Sequence, residues 1–384
     1  MYYTKERIER ICKDLKNLIY QPRQPADKII WQQGRMTSPA EADGGDWVPF
    51  NPGDRWGVYD EHAWFRADVV VPEAFDGHRV LLDVSVDREN WFADSRQFLL
   101  FVDGKISQGM DVNHRTSVLR EKAVAGETVR IDLQAYAGLV DKPTELYLQL
   151  FVENTAVKQL YYDLHVPLQV ASELPEGDKT RLDMLDRLNQ AVNRLDMRKP
   201  LSAAFQSSVQ DTIDFLETHF YQALCGPSDI RAVAVGHTHI DVAWLWRLRQ
   251  TREKTGRSFA TVLRLMEQYP EYVFMSSQPQ LYQFLQEDFP ELFDQVRARI
   301  REGRWEPEGA MWLEADCNLT SGESLVRQIL HGTRYFREQF GVENKIVWLP
   351  DVFGYSAALP QIMKLAGVKY FMTTKINWNQ YNPI

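Results

Sequence analysis

The sequence contains little cysteine and no surplus of positive charge. Its 384 residues include three cysteines, Cys12, Cys225 and Cys317, which lie far apart and are odd in number. That pattern does not fit the paired cysteines of a disulfide-stabilised secreted domain. The net charge of -9 argues against a nucleic acid or an anionic membrane surface as the main partner.

Long apolar segments are also missing. The N-terminal segment, MYYTKERIERICKDLKNLIY, is charged and lacks the apolar core of a secretory signal peptide. No later segment approaches the ~20 apolar residues that a membrane-spanning helix requires. We therefore expect a cytoplasmic protein without a membrane partner.

The residues that are present predict several domains with different periodicities. A chain of 384 residues is too long for one typical hydrophobic core. Apolar residues three and four positions apart predict an amphipathic helix within residues 1–24. Short alternating segments then predict an antiparallel β-sandwich over residues 25–175. We interpret this sandwich as a structural accessory domain rather than a sugar-binding module, because the fold alone gives no function.

The second half of the chain changes from a helical pattern to an alternation of strands and helices. Residues 176–225 have helical spacing and predict a connector. In residues 226–384 the alternation is typical of a parallel α/β sheet or barrel, in which functional residues follow the carboxyl ends of the strands. The predicted strands are RAVAVG, YVFMSS, RWEPEGAMW, KIVWLPD and VKYFMTTK, and the predicted helices are Arg257–Gln268, Leu281–Gly303, Gly322–Phe340 and Ala357–Ala366.

A cluster of polar residues follows the first of these strands. The segment AVAVGHTHID places His237, His239 and Asp241 directly after an apolar run. In an extended chain, residues two positions apart point to the same side, so these three can face one point. Imidazole and carboxylate groups at this spacing form half of a divalent metal site, which we favour over a simple role in capping the strand.

A second polar residue follows the predicted strand KIVWL. Pro350 ends the strand and Asp351 comes directly after it. Asp351 therefore occupies a position equivalent to that of Asp241, and we interpret it as a metal ligand or a catalytic carboxylate. Glu314 and Asp316, near a third strand end, fit a sugar pocket and a solvent-exposed loop equally well.

Two separated motifs resemble those of the family 38 glycoside hydrolases, the retaining zinc-dependent α-mannosidases. They are GHTHIDVAWLW and WLPDVFGYS, with EGAMWLEADCNLTSGESLVRQ between them and YFMTTKINWNQYN after them. The match covers residues 226–384, and the preceding region is similar to the N-terminal part of the cytosolic and bacterial branch of the family. The resemblance implies hydrolysis of terminal, non-reducing α-mannose residues from oligosaccharides with retention of configuration.

The resemblance also implies a metal centre with a catalytic role. His239 and Asp241 would bind one zinc ion, with Asp351 as the third ligand and as the nucleophile that forms a mannosyl-enzyme. A retaining glycosidase also needs a second carboxyl group as acid/base. In the family, that acid/base and a histidine that is the fourth zinc ligand come after the last residue of this sequence. We therefore expect an N-terminal portion of a longer enzyme, inactive alone, and cobalt or manganese remain alternatives to zinc.

Further residues match family positions around the substrate. Trp244 would be the platform under the sugar in the cleavage subsite, and Phe353 would form another wall. Lys375 occupies a position where many members carry an arginine near the nucleophile and the sugar 2-hydroxyl, which is a departure from the pattern. His237 would have a structural role. The resemblance also suggests assembly into a homo-oligomer.

Two alternatives remain. Amidohydrolase-like metallohydrolases also begin with an H-x-H pattern, but they need further histidines at later strand ends, where this sequence has none. A non-catalytic carbohydrate-binding module would hold a glycan with the sandwich and Trp244, and would keep its affinity for sugar without metal or Asp351. Trp246, Trp312 and Trp348 are interpreted as core residues rather than as sugar subsites.

Overall fold

The computed structural model describes residues 3–87, 96–226 and 229–378, which form helices and strands in alternating blocks. The helices, α1 to α11, are Thr4–Leu18, Pro39–Ala42, Thr155–Glu173, Lys179–Val192, Ala203–Leu216, Gln222–Leu224, Leu248–Gln268, Pro279–Asp288, Pro290–Arg301, Gly322–Phe340 and Leu359–Leu365. The strands, β1 to β15, are Tyr20–Pro25, Ile30–Gln33, Val48–Pro49, His62–Val70, Val80–Val86, Gln97–Val102, Lys105–Met110, Thr116–Arg120, Thr128–Tyr136, Leu146–Glu153, Gly236–His237, Phe274–Ser276, Trp305–Pro307, Ile346–Trp348 and Tyr370–Met372. None of the helices in these ranges is both long and apolar enough to cross a membrane.

Two antiparallel sheets form a sandwich in the first part of the chain. One sheet has the strand order β3-β2-β4-β9-β6-β7, and the other has the order β1-β10-β5-β8. Their facing sides share one core, to which the first sheet contributes Phe65, Leu100 and Leu133 and the second Leu82 and Leu150. The alternating segments of the sequence thus form the predicted β-sandwich, with inward side chains from both sheets filling the space between them.

The six-stranded sheet is also covered on its outer side. Trp64 and Phe65 are adjacent residues of β4, and both are fully buried. Trp64 and Phe101 share a core with Phe259 and Leu263 of α7. Because successive residues of a strand face opposite sides, this sheet packs against its partner sheet on one side and against α7 on the other.

The helices α1, α3, α4 and α5 pack together around a separate apolar core. Its buried residues include Leu15, Leu164, Leu188 and Phe205, one from each helix. The sequence analysis extends the sandwich to residue 175, and this part of the prediction is wrong, because the chain from Thr155 onward is α3. The buried residues of α3 recur three and four positions apart, a helical period that follows directly after the alternating pattern of β10. The predicted N-terminal helix ends early, and β1 begins within residues 1–24.

The last part of the described chain contains two small parallel sheets. Their strand orders are β11-β12-β13 and β14-β15, and a single parallel bridge joins Gly309 to Val347 between them. The helices α7 to α11 lie between successive strands in the chain, as the predicted parallel α/β pattern requires. The described residues form no closed barrel. Residues 379–384 of the predicted domain, with the end of the motif YFMTTKINWNQYN, lie outside the described residues.

The first strand of this region is shorter than its sequence predicts. The segment RAVAVG is predicted as a buried strand, but β11 comprises Gly236–His237, and Val233 is 87% exposed. Within the described ranges, β11 pairs with β12 and with no second strand. An apolar run becomes a buried strand only where neighbours complete its hydrogen bonds and cover its side chains. The prediction of a strand over the whole of RAVAVG is therefore wrong.

The sandwich and α7 approach each other closely at Gly109 of β7. A Cβ atom on Gly109 would lie 2.4 Å from the backbone oxygen of Arg257, and the Thr261 hydroxyl donates a hydrogen bond to the Gly109 carbonyl at 3.2 Å. We expect Gly109→Ala to lower the free energy of unfolding by about 2–3 kcal/mol, because α7 must move away from the sheet. Urea denaturation measures this change, and Gly322→Ala is the control because a Cβ atom there meets nothing within 4 Å. Equal unfolding midpoints for the two variants would contradict the close approach.

Candidate metal centre

The segment after β11 brings His239 and Asp241 together. The Nε2 atom of His239 lies 3.0 Å from Oδ1 of Asp241. Both side chains are partly exposed, whereas Ile240 between them is buried in the core that α7 shares with the sandwich. Ile240 therefore anchors the segment, and its two polar neighbours stay open at the carboxyl edge of the sheet.

The loop after β14 adds a carboxylate at the same point. Oδ2 of Asp351 lies 3.7 Å from Nε2 of His239, and its Oδ1 lies 2.7 Å from Nζ of Lys375. The potential ligand atoms of His239, Asp241 and Asp351 all lie within 4.8 Å of one another. The structure thus brings together the three predicted metal ligands and puts an ammonium group beside Asp351.

Hydrogen bonds fix the loop that follows β14. The Tyr355 hydroxyl lies 3.1 Å from the carbonyl oxygen of Leu349 and 2.8 Å from that of Val352. The Thr374 hydroxyl, on the segment after β15, donates a hydrogen bond to the carbonyl of Pro350 at 2.6 Å. The loop is therefore held by hydrogen bonds within itself and by one from the segment after β15. These bonds fix the backbone that carries the Asp351 carboxylate.

A buried glutamate lies beside the other ring nitrogen of His239. Oε2 of Glu314 lies 2.9 Å from Nδ1 of His239, and the Glu314 side chain is 5% exposed. Ser277 and Gln278 donate hydrogen bonds to its Oε1 at 3.3 and 3.4 Å, and Gln278 also donates to the Ile240 carbonyl at 2.9 Å. The sequence fits Glu314 equally well to a sugar pocket or to a solvent-exposed loop, but in the structure its carboxylate lies beside Nδ1 of His239. A carboxylate at the second nitrogen of a metal-bound histidine fixes the ring and its tautomer.

The charges around His239 favour a bound cation. Burial opposes a charged imidazole, but the carboxylates of Glu314 and Asp241 outweigh it and raise the pKa of His239 to about 9. Three carboxylates converge here, with the ammonium group of Lys375 as a counter-charge. A divalent cation beside a neutral imidazole would balance them. Metal binding and protonation therefore compete for Nε2.

The donor atoms fit a small divalent metal ion. Ligand atoms ~2.1 Å from a tetrahedral zinc ion lie about 3.4 Å from one another. The distances of 3.0 Å to Asp241 and 3.7 Å to Asp351 from Nε2 of His239 lie on either side of that value. One nitrogen and two carboxylate oxygens are also donor types that zinc prefers. His239, Asp241 and Asp351 can therefore hold a metal ion and leave a position open for a fourth ligand.

His237 lies outside this centre, contrary to the expectation that three polar residues face one point. Its Nδ1 lies 3.0 Å from the carbonyl oxygen of Met275, and its Nε2 accepts a hydrogen bond from the indole N–H of Trp348 at 3.1 Å. Because β11 ends at His237, the alternation of an extended chain does not continue to His239. These contacts fit a structural role. The H-x-H pattern supplies one potential metal ligand rather than two, which argues against the amidohydrolase-like alternative.

The two predicted substrate-binding aromatic residues are exposed, and each lies in a segment that carries a candidate metal ligand. Trp244 lies in the irregular segment between Asp241 and α7, and 59% of its surface is exposed. Phe353, in the Asp351 loop, is 72% exposed, and Nζ of Lys375 lies 4.9 Å from the centre of its ring. Exposed aromatic residues beside a polar site are available to a ligand. Their contact with a sugar stays a prediction.

The other tryptophans of this region have partners within the fold. All three are partly buried. The indole N–H of Trp246 donates to the Thr251 hydroxyl at 3.0 Å, and that of Trp312 donates to the Gln280 side chain at 3.1 Å. Trp348 donates to an imidazole, as described above. The sequence analysis interprets these three tryptophans as core residues, but none of them is among the buried core residues, and each is instead held at a partly buried position by a hydrogen bond.

We expect Glu314→Gln to weaken zinc binding by about tenfold or more, since a neutral amide holds and polarises the His239 imidazole less well than a carboxylate. The dissociation constant for zinc, measured by competition with a chromophoric chelator at fixed pH, reports this change. Glu323→Gln on the surface of α10 is the matched control, because its carboxylate pairs with Arg327 of the same helix. Equal zinc affinity of the two variants would contradict the role of Glu314.

Two family models match this chain. Residues 229–384 match "Glycosyl hydrolases family 38 N-terminal domain", and residues 28–137 match "Alpha-mannosidase, jelly roll domain". Among solved structures, a β-glucuronidase from Ruminococcus gnavus covers 35% of this chain and 29% of its own, with a TM-score of 0.26 and 7% identity. That likeness is too weak to inform the fold.

Three similar proteins are named as alpha-mannosidases. Alpha-mannosidase 2C1 of Homo sapiens is 33% identical over 88% of this chain and 33% of its own length. Alpha-mannosidase G of Dictyostelium discoideum is 36% identical over 61% of this chain and 21% of its own length. Alpha-mannosidase of Saccharomyces cerevisiae is 36% identical over 59% of this chain and 21% of its own length. This chain therefore spans about a third or less of the length of these relatives.

Proposed function

We propose that this chain, whose residues 229–384 match the family 38 glycosyl hydrolase N-terminal domain, is the N-terminal portion of an α-mannosidase. Its substrates are oligosaccharides from which it removes terminal, non-reducing α-mannose residues. The observation that carries the proposal is the convergence of His239, Asp241 and Asp351 at one edge of the parallel sheets, with Lys375 paired to Asp351. The proposed reaction is hydrolysis with retention of configuration.

Asp351 is the proposed nucleophile. One carboxylate oxygen forms a bond to C1 of the mannose, while the bond from C1 to the glycosidic oxygen breaks and that oxygen takes a proton from a general acid. Water then displaces the carboxylate from C1 and gives a proton to the same acid/base group, and two inversions give net retention. Lys375 holds Oδ1 of Asp351 at 2.7 Å. This charge-assisted hydrogen bond fixes the orientation of the carboxylate.

A zinc ion is the proposed cofactor, held by His239, Asp241 and Asp351. When bound, zinc supplies a Lewis acid that binds two adjacent sugar hydroxyls and so favours the cis 2- and 3-hydroxyls of mannose. Trp244 offers an apolar platform to the face of the sugar ring, and Phe353 offers a second wall. The proposed role of Lys375 includes contact with the sugar 2-hydroxyl.

The rest of the active site is proposed to lie outside this chain. It comprises a histidine as the fourth zinc ligand and the acid/base carboxylate. Residues 226–384 would then form the first part of a (β/α) barrel, preceded by the N-terminal helix, the sandwich and the helical connector. The chain alone is accordingly expected to be inactive. A cytoplasmic location and assembly into a homo-oligomer are parts of the same proposal.

Hydrolysis of 4-nitrophenyl α-mannoside by the complete gene product tests this function. We expect turnover by the zinc-loaded protein, loss of turnover after chelation and recovery when zinc is returned. Proton NMR of the first product should show the α-anomer of mannose, as retention requires. Absence of turnover by folded, zinc-loaded protein would overturn the proposal. Sugar binding that survives both chelation and loss of Asp351 would favour the carbohydrate-binding module instead.

A further inference from the structure

A carboxylate of the sandwich reaches the segment that carries Trp244. Asp60 lies in the turn before β4 with φ of 59°, in the left-handed region where aspartate and asparagine are the most frequent residues after glycine. Its side chain is 14% exposed. Its Oδ2 lies 2.9 Å from Nη1 of Arg247 and also pairs with Arg249, and its Oδ1 accepts a hydrogen bond from the Tyr136 hydroxyl at 3.3 Å. One sandwich residue therefore binds two arginines that follow the metal centre in the chain.

Residues 241–247, here called the platform loop, are closed at their base by Thr251. The Thr251 hydroxyl donates to the carbonyl of Val242 at 2.7 Å and accepts from the indole N–H of Trp246 at 3.0 Å. Thr251 is fully buried, whereas Trp244 at the tip of the loop is 59% exposed. The loop thus leaves and rejoins the fold at fixed points, and the orientation of its tip depends on them.

Asp60 fixes the C-terminal end of this loop. The Gln250 side chain accepts a hydrogen bond from the backbone N–H of Arg247 at 2.6 Å, and its amide donates to Oδ1 of Asp60 at 3.4 Å. Asp60 therefore contacts both the arginines at the start of α7 and the residue that caps this helix. Charge-assisted hydrogen bonds to a largely buried carboxylate are stronger than those between exposed groups. The end of the platform loop is consequently tied to the sandwich.

We propose that Asp60 is a positioning residue for the sugar site: through Arg247 and Arg249 it holds the platform loop so that Trp244 stays beside the metal centre. The inference rests on the proposed function, because Trp244 is the platform only if the site binds a sugar. It gives the sandwich a role in substrate binding that needs no sugar site on the sandwich itself. His239 is held separately, by Glu314 and by its buried neighbour Ile240.

The test uses Asp60→Asn in the complete, zinc-loaded gene product. Asparagine keeps the size of the side chain and tolerates the left-handed backbone, but it removes the charge that binds the arginines. We expect KM for an aryl α-mannoside to rise about tenfold with kcat changed less than about twofold, because a displaced platform weakens sugar contacts that exist before the chemical step. Zinc affinity should stay unchanged, and hydrogen exchange of the platform-loop amides should accelerate.

Two control variants distinguish an effect on the platform loop from a general weakening of the contacts that carboxylates make with the sandwich. Asp43→Asn removes a carboxylate that also binds two arginines, but all within the sandwich. Glu253→Gln removes a carboxylate of α7 that binds His62 and Arg35 of the sandwich, outside the platform loop. Neither control should change KM, or the hydrogen exchange of the platform-loop amides, as Asp60→Asn does. The inference is overturned if Glu253→Gln raises KM as much as Asp60→Asn does. It is also overturned if the platform-loop amides of Asp60→Asn exchange hydrogen at the wild-type rate.

Trp244→Ala, measured in parallel, separates failure of this inference from failure of the proposed function. A raised KM in Trp244→Ala together with an unchanged KM in Asp60→Asn overturns the role of Asp60 alone. An unchanged KM in both variants overturns the sugar platform itself, and with it the role of Asp60 in sugar binding. A raised KM in both, with faster loop exchange in Asp60→Asn, supports the inference.

Discussion

Replacing Asp351 with asparagine is expected to lower kcat for α-mannoside hydrolysis by at least ~10³-fold. A neutral amide is too weak a nucleophile to form a bond to C1. The substitution also replaces the carboxylate that pairs with Lys375 at 2.7 Å. Steady-state turnover of an aryl α-mannoside by the complete, zinc-loaded gene product measures the effect. Glu323→Gln is the control, since its exposed carboxylate pairs with Arg327 on the surface of α10.

Zinc content and an external nucleophile separate the two proposed roles of Asp351. Turnover of Asp351→Asn is measured at saturating zinc, so that weaker metal binding does not by itself explain lost activity. In Asp351→Gly, added azide can attack C1 from the side that the carboxylate would occupy, and a β-mannosyl azide product would identify Asp351 as the nucleophile. Turnover of Asp351→Asn near the wild-type rate would contradict the role of Asp351 as the nucleophile.

The three metal-ligating candidates were predictable because each follows an apolar run in its own segment. His239 and Asp241 come after β11, and Asp351 comes directly after the strand-ending Pro350. Parallel strands place such residues at one edge of the sheets, and the three ligand atoms lie within 4.8 Å of one another there. His237 follows the same apolar run but lies outside the centre, so strand direction does not select among the polar residues. Glu314 was not assignable in this way. Its contact with His239 depends on how the chain after β13 packs against the chain after β11, which no local pattern encodes.

Neighbouring carboxylates of similar appearance in the sequence have different roles in the structure. Glu314 is buried against His239, but Asp316, two residues later, is exposed. Oδ1 of Asp316 accepts hydrogen bonds from the backbone N–H groups of Asn318 and Leu319 at 2.8 Å. Asp316 thus stabilises a turn, which is the loop alternative of the sequence analysis. Burial decides between the two roles, and burial depends on the tertiary fold.

The helices show which local signals are sufficient to predict where an element begins and ends. Gly322–Phe340 was predicted with its observed bounds, because Ser321 caps the N-terminus and Gly341 ends the helix in the left-handed conformation. The predicted helix Leu281–Gly303 is two helices, because Pro290 starts α9 after Asp288 ends α8. Capping and proline are local features. The exposure of RAVAVG, by contrast, depends on neighbours in the fold.

Removing Asp241 is expected to weaken zinc binding by at least about 10²-fold. Asp241 supplies one of three donor groups, and its Oδ1 lies 3.0 Å from Nε2 of His239. Loss of a direct ligand should exceed the 10- to 100-fold effect typical of residues that only orient a ligand. Competition with a chromophoric chelator at fixed pH measures the dissociation constant for Asp241→Ala, and Asp316→Ala is the control because its carboxylate supports a turn.

The order of zinc affinities tests the division of roles around His239. The wild type should bind zinc most tightly, followed by Glu314→Gln and then by Asp241→Ala. Glu314→Gln loosens the His239 imidazole, whereas Asp241→Ala removes a donor atom. Asp60→Asn should match the wild type, since it acts on the end of the platform loop that carries Trp244 and not on Asp241. Zinc affinity of Asp241→Ala equal to that of the Asp316→Ala control would show that the metal centre has been assigned to the wrong residues.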